Sequence, residues 1–124
     1  MARIVVVEQD QLIRALLVEW LGAAGHAVVA YSRVDAMTND EADAVIVDVA
    51  MPRNGGCTKL RALQARRPGT PMIAISAQFM ANASATACAV GVGHIIAKPF
   101  TREQLLAVVD GALAAARPMH RSLG

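Results

Sequence analysis

Ala44-Val45-Ile46-Val47-Asp48-Val49-Ala50-Met51-Pro52 decides the fold. A short apolar run, rich in β-branched residues, ends on one carboxylate and passes into a Met-Pro turn. Short apolar runs without polar alternation are the pattern of parallel strands buried on both faces. Three more occur, at Ile4-Val7, Met72-Ile75 and Ile95-Ala97, and Ala27-Ala30 follows Gly25-His26 as a fifth.

Between these runs the period changes to that of a helix. Leu12, Ile13, Leu16, Leu17, Trp20 and Leu21 recur as one apolar stripe, with Asp10 as the N-cap and Gly25 closing it. Cys57, Leu60 and Leu63 make a thinner stripe that Pro68-Gly69 ends. In the last helix Thr101 and Gln104 form a capping box, and Leu105, Leu106, Val109, Ala112 and Leu113 face inward. The order is strand-helix five times over, which predicts a doubly wound α/β fold. Five parallel strands in the flavodoxin-like order 2-1-3-4-5 would carry helices on both faces.

Composition narrows the function. The chain has 124 residues, one domain's worth, with 55% hydrophobic and only 3% aromatic residues. Its core is therefore aliphatic. The formal net charge of +2 is scattered rather than gathered into an arm or face, so no nucleic-acid partner is expected. Cys57 and Cys88 have no metal-ligand or redox spacing and read as thiols in a reducing compartment. No signal peptide and no run long enough for a membrane span is seen, which predicts a cytoplasmic protein with no membrane contact. One domain is expected over residues 1–117, with a disordered tail over 118–124.

In an open parallel sheet, ligands gather at the carboxyl ends of the strands, at the switch in strand order. The sequence puts Glu8-Gln9-Asp10, Asp48, Ser76 and Lys98-Pro99 there, on strands 1, 3, 4 and 5. Two carboxylates at adjacent strand ends repel, so a cation should offset them. Lys98 serves in part, and a hard divalent ion would serve for the rest. No P-loop, GxGxxG or GxSxG stands at these ends, which argues against nucleotide binding and serine hydrolysis. A flavin carrier is also a poor fit, for nothing aromatic is placed to stack the ring.

On these residues the chain resembles the receiver domains of two-component signalling, typified by the chemotaxis response regulators. The matches span about residues 3–115: Val47-Asp48-Val49-Ala50-Met51-Pro52, Gly56, Ile75-Ser76-Ala77 and Lys98-Pro99-Phe100. The resemblance implies that Asp48 accepts a phosphoryl group from a histidine kinase or phosphotransfer protein. Lys98 would hold the phosphoryl oxygens, and Ser76 would swing in to hydrogen-bond them. Mg²⁺ would be bound by Glu8, Asp48 and the Ala50 carbonyl, and Pro99 would follow a cis bond. It implies no enzyme beyond self-catalysed phosphoryl transfer and loss. A downstream protein, or a second copy of the chain, would meet the face of the fourth helix, fifth strand and fifth helix.

The chain departs from the family in places. Gln9 stands where a direct metal ligand is normally Asp, which predicts a weakened Mg²⁺ site. Ile95 replaces the aromatic partner of Ser76 in the switch. The segment Tyr31 to Asp43 is short, with a stub of helix around Val34-Met37, and Gln78 to Gly93 carries no charge. His94 reads as an edge histidine. With little chain after the last helix, a stand-alone switch is expected, and a receiver excised from a longer protein is the other reading the sequence allows. The competing reading is a pseudo-receiver, a phosphorylation-independent interaction or dimerisation module. Gln9 and Ile95 favour it, and the trio Asp48, Ser76 and Lys98 opposes it.

Overall fold

A computed structural model describes residues 2–33, 41–49, 56–77 and 94–123, and the side chains of 56–59, 76, 77 and 116–123 lie outside the description. The elements are β1 (Arg3–Val7), α1 (Gln11–Ala23), β2 (Ala27–Tyr31), β3 (Ala44–Asp48), α2 (Gly56–Arg66), β4 (Met72–Ala77), β5 (His94–Lys98) and α3 (Arg102–Leu123). The expected second and fourth helices fall on residues outside those described, so α3 is the fifth helix of the expected order.

All four strand pairings are parallel, and the order is β2-β1-β3-β4-β5, as the strand pattern predicts. Side chains alternate between the two faces. Ile4, Val6, Ala44, Ile46, Ile73, Ile75 and Ile96 meet Leu17 and Leu21 of α1 and Leu105, Val109, Ala112 and Leu113 of α3 on one face. Val5, Val7, Val45, Val47, Met72 and Ala74 meet Leu60 and Leu63 of α2 on the other. Large apolar side chains with almost no water contact hold both layers, each worth roughly 1.5–3 kcal/mol of burial.

The caps are as the sequence predicts. Asp10 Oδ1 accepts from the Ile13 N–H at 3.0 Å. The Thr101 N–H donates to Gln104 Oε1 at 2.9 Å, and the Gln104 N–H to Thr101 Oγ1 at 3.0 Å. Gly25 leaves α1 with φ +96°, a conformation that only glycine adopts freely.

Two expectations need correcting. Leu12 is 78% exposed and Leu16 is also exposed, so the buried stripe of α1 is narrower than its run of apolar residues. Only Leu17 and Leu21 are fully buried, with Ile13 and Trp20 half-buried against them. The tail is the second: the backbone of α3 continues through Pro118 to Leu123, where disorder was expected. Proline withdraws one N–H, and the helix-forming Ala114, Ala115, Ala116, Arg117 and Met119 around it sustain the turn.

Candidate functional site

Strand register builds the site. Val7 lies beside Val47 and Asp48 beside Ile75, while Ala77 lies beside Lys98. Val6, Ile46 and Ile96 all face the layer of α1 and α3. Two residues further on, the same alternation brings Glu8, Asp48 and Lys98 to one end of that face. The aliphatic core thus runs straight into a charged cluster at the carboxyl ends of the strands.

Glu8 is 0% exposed and Asp48 2%. The Lys98 ammonium lies 3.2 Å from Glu8 Oε1 and 3.3 Å from Asp48 Oδ1, with its side chain 19% exposed. One cation therefore bridges two buried anions. Glu8 Oε2 accepts from the Asp10 N–H at 3.0 Å, whereas Glu8 Oε1 has no hydrogen bond. Burial, first, and a hydrogen bond with Asp48, second, push the Glu8 carboxyl up to about 7. Two ionised carboxylates cannot hydrogen-bond to each other. Glu8 makes that bond only when it carries a proton, and the bond favours its neutral form. The Asp10 N–H and the charge of Lys98 pull the other way.

These donors fit a hard divalent cation. Two buried carboxylates against one ammonium leave a negative excess, and Glu8 Oε1, ion-paired with Lys98, has no hydrogen-bond partner. Magnesium is commonly held by one or two carboxylates with water or phosphate oxygens completing its shell. The protein's share is small: among the described residues no group of three His, Cys, Asp or Glu gathers here. Gln9 is exposed and does not join the cluster. Ala50 lies outside the described residues.

Ser76 stands in β4 beside Ala97, with its side chain outside the description. Ile95 is 39% exposed on the edge strand, lining a cleft of about 290 Å³ with Pro99, Gln104 and Val108. The Lys98–Pro99 peptide is cis, as the resemblance implies. The next residue, Phe100, packs edge-on against Trp20 of α1, with ring centroids 6.2 Å apart at 79°. That contact ties the chain beyond Lys98 to the helix that follows Glu8. His94 is half-buried at the opposite end of β5 and takes no part in the cluster.

Sequence reasoning missed Arg14. Its guanidinium reaches back from α1, and Nη1 donates to the Glu8 carbonyl at 2.9 Å, with a longer contact of 3.4 Å to the Gln9 carbonyl. A signal was available: a cation in the first turns of a helix opposes the helix dipole, so it needs another reason to be there.

A doubly wound sheet whose switch point holds two buried carboxylates and a bridging lysine is the arrangement that the receiver resemblance implies. The family model for the response regulator receiver domain matches residues 4–110. This chain belongs to that family, the receiver domains of two-component signalling. It is 30% identical over 120 residues to the response regulator MprA of Mycobacterium avium, covering 94% of this chain and 53% of that one. The chain spans about half the length of the curated relatives it matches. A response regulator receiver protein from Burkholderia phymatum superposes with a TM-score of 0.76 at 26% identity, covering 92% of this chain and 96% of that one. NtrX from Brucella abortus superposes with a TM-score of 0.86 at 24% identity over 98% of this chain and 28% of its own, a likeness of fold. Among the described residues no helix is long and apolar enough to cross a membrane.

Proposed function

We propose that this receiver takes a phosphoryl group on Asp48 from a histidine kinase or phosphotransfer protein and so switches a protein-binding face. The observation that carries this reading is the Lys98 ammonium set 3.2 and 3.3 Å from two buried carboxylates. Burying two like charges is costly, and a purely structural residue pair would be apolar here. A phosphoryl acceptor needs this cost to be borne.

In the transfer, a carboxylate oxygen of Asp48 forms a bond to phosphorus as the phosphorus–nitrogen bond of a phosphohistidine breaks. The released imidazole nitrogen takes up a proton. Lys98 leaves its pairing with Asp48 and meets a phosphoryl oxygen instead, so positive charge is already in place where negative charge arrives. Glu8 and Asp48, with the Ala50 carbonyl, would hold Mg²⁺. When bound, the metal would offset the charge of the phosphoryl oxygens. Ser76 is the residue that would then hydrogen-bond the phosphoryl group. The change would pass to the face around Ile95 and α3, where a downstream protein or a second copy of the chain docks. No turnover on a separate substrate is assigned, and the absence of nucleic-acid contact is proposed for these 124 residues only.

Intact mass after incubation with a small phosphodonor and Mg²⁺ tests the reading. One added phosphoryl group, absent from Asp48→Asn, is the expected result. Label persisting on Asp48→Asn would move the acceptor elsewhere. No label on the wild type would favour the phosphorylation-independent module, to which the exposed side chain of Gln9 already lends weight.

A further inference from the structure

The turn from β1 to α1 carries Glu8 and Gln9, and three residues donate the contacts that follow, Glu8, Asp10 and Arg14. The Glu8 N–H donates to the Tyr31 carbonyl at 3.0 Å, which fixes the strand side. The Asp10 N–H donates to Glu8 Oε2, which aims the carboxylate. Arg14 supplies the third, from the helix side. Its backbone N–H donates to the Asp10 carbonyl at 2.9 Å, and its guanidinium crosses to the Glu8 carbonyl at 2.9 Å and toward that of Gln9 at 3.4 Å.

Arg14 is half-buried, and among the described residues no carboxylate pairs with it. Its charge goes to the backbone carbonyls of Glu8 and Gln9 at the strand end. Both contacts come from one guanidinium nitrogen, Nη1, whose two N–H groups reach the two carbonyls. The dipole of α1 disfavours a cation so early in the helix, so the carbonyl contacts must outweigh that cost. The exposed amide of Gln9 does nothing to lock the turn.

We propose that Arg14 is a positioning residue of the acidic site: its guanidinium, laid on the Glu8 and Gln9 carbonyls, keeps the β1–α1 turn closed so that the Glu8 carboxylate faces Lys98 and Asp48. The role in metal and phosphoryl chemistry rests on the function proposed above. The role in holding the turn does not.

The test uses the whole chain, with Arg14→Ala, Arg14→Lys and, as a helix-weakening control, Leu21→Ala. In metal-free protein, amide exchange at Asp10 reads the turn directly. Calorimetry with Mg²⁺ alone reads the site, and labelling rates over a range of Mg²⁺ separate half-saturation from maximal rate. Arg14→Ala should speed Asp10 exchange and weaken Mg²⁺ binding, each on the order of tenfold, as loss of groups that orient metal ligands generally does. Its maximal labelling rate at saturating Mg²⁺ should change little. Arg14→Lys, which can still donate to a carbonyl, should recover most of both losses. Unchanged Asp10 exchange in Arg14→Ala overturns the inference. So do losses that merely follow the fall in melting temperature, as they would in Leu21→Ala. If the wild type neither binds Mg²⁺ nor takes label, the proposed function fails, and the metal-free exchange measurement still decides the role of Arg14.

Discussion

Glu8 is the residue on which the chemistry and the stability of this domain meet. Its carboxyl is raised from an ordinary value of 4.5 to about 7, chiefly by burial. Between those values the folded state binds more protons than the unfolded chain, so stability falls as pH rises through that window. The favourable contribution is complete below about pH 4.5 and lost above about 7. At roughly 1.4 kcal/mol per unit, the change is on the order of 3 kcal/mol. Urea unfolding of metal-free protein from pH 5 to 8 should show this decline, and Glu8→Gln should flatten it. A second residue-scale prediction concerns Gln9. Gln9→Asp adds a carboxylate beside Glu8, and Mg²⁺ affinity should rise by a factor on the order of ten to a thousand, at about 1.4 kcal/mol per decade. Because Gln9 is exposed, the new charge stays hydrated, and the cost to metal-free stability should be under about 1 kcal/mol, checked by thermal shift with and without Mg²⁺. Glu8, Asp48 and Lys98 could be placed together from sequence because strand ends converge in this topology. The burial of Glu8 could not, since it depends on how α1 and the turn close over it, and Arg14 carried no motif.

At the scale of elements, strands were more legible than helices. A strand buried on both faces announces itself by composition, and the five runs match the observed strands to within two residues at either end. The stripe of α1 was harder, because Leu12 and Leu16 are apolar without being inward, and only packing separates them from Leu17 and Leu21. The capping box at the start of α3 was legible because it is purely local. Thr101→Ala should cost about 1 kcal/mol, measured by urea unfolding. The loss should be nearly independent of pH between 5 and 8, which distinguishes it from Glu8→Gln. The contact of Trp20 with Phe100 joins two elements distant in sequence and could not be read from either. Phe100→Leu should remove the edge-to-face term, roughly 0.5–1.5 kcal/mol, and loosen the chain beyond Lys98. Slower labelling of Asp48 at unchanged Mg²⁺ affinity would be its signature.

Across the whole molecule, the charged cluster straddles the sheet's middle, with Glu8 after β1 and Lys98 on β5 to either side of Asp48 on the central strand β3. The charged cluster caps the carboxyl ends of β1, β3 and β5, and the edge strand β5 exposes Ile95 toward its amino end. Ile95→Lys should therefore weaken association with a partner or second copy while leaving the melting temperature within a few degrees, as sedimentation and thermal unfolding would show. The sheet order has a further consequence, for how the protein is made. β1 is synthesised before the other four strands, yet it lies between two that come later, and its contact with Asp43 spans 40 residues of chain. Lys98, the counter-charge to Glu8, comes later still. A nascent chain thus holds apolar β1 and an uncompensated acid until most of the domain has been synthesised. Parallel pairing over such separations is slow to form and leaves sticky segments exposed in the interval. Glu8, Asp48 and Lys98 are among the last residues to be brought together, so a ribosome halted before Lys98 would release a chain with neither a closed sheet nor a counter-charge for its buried acids.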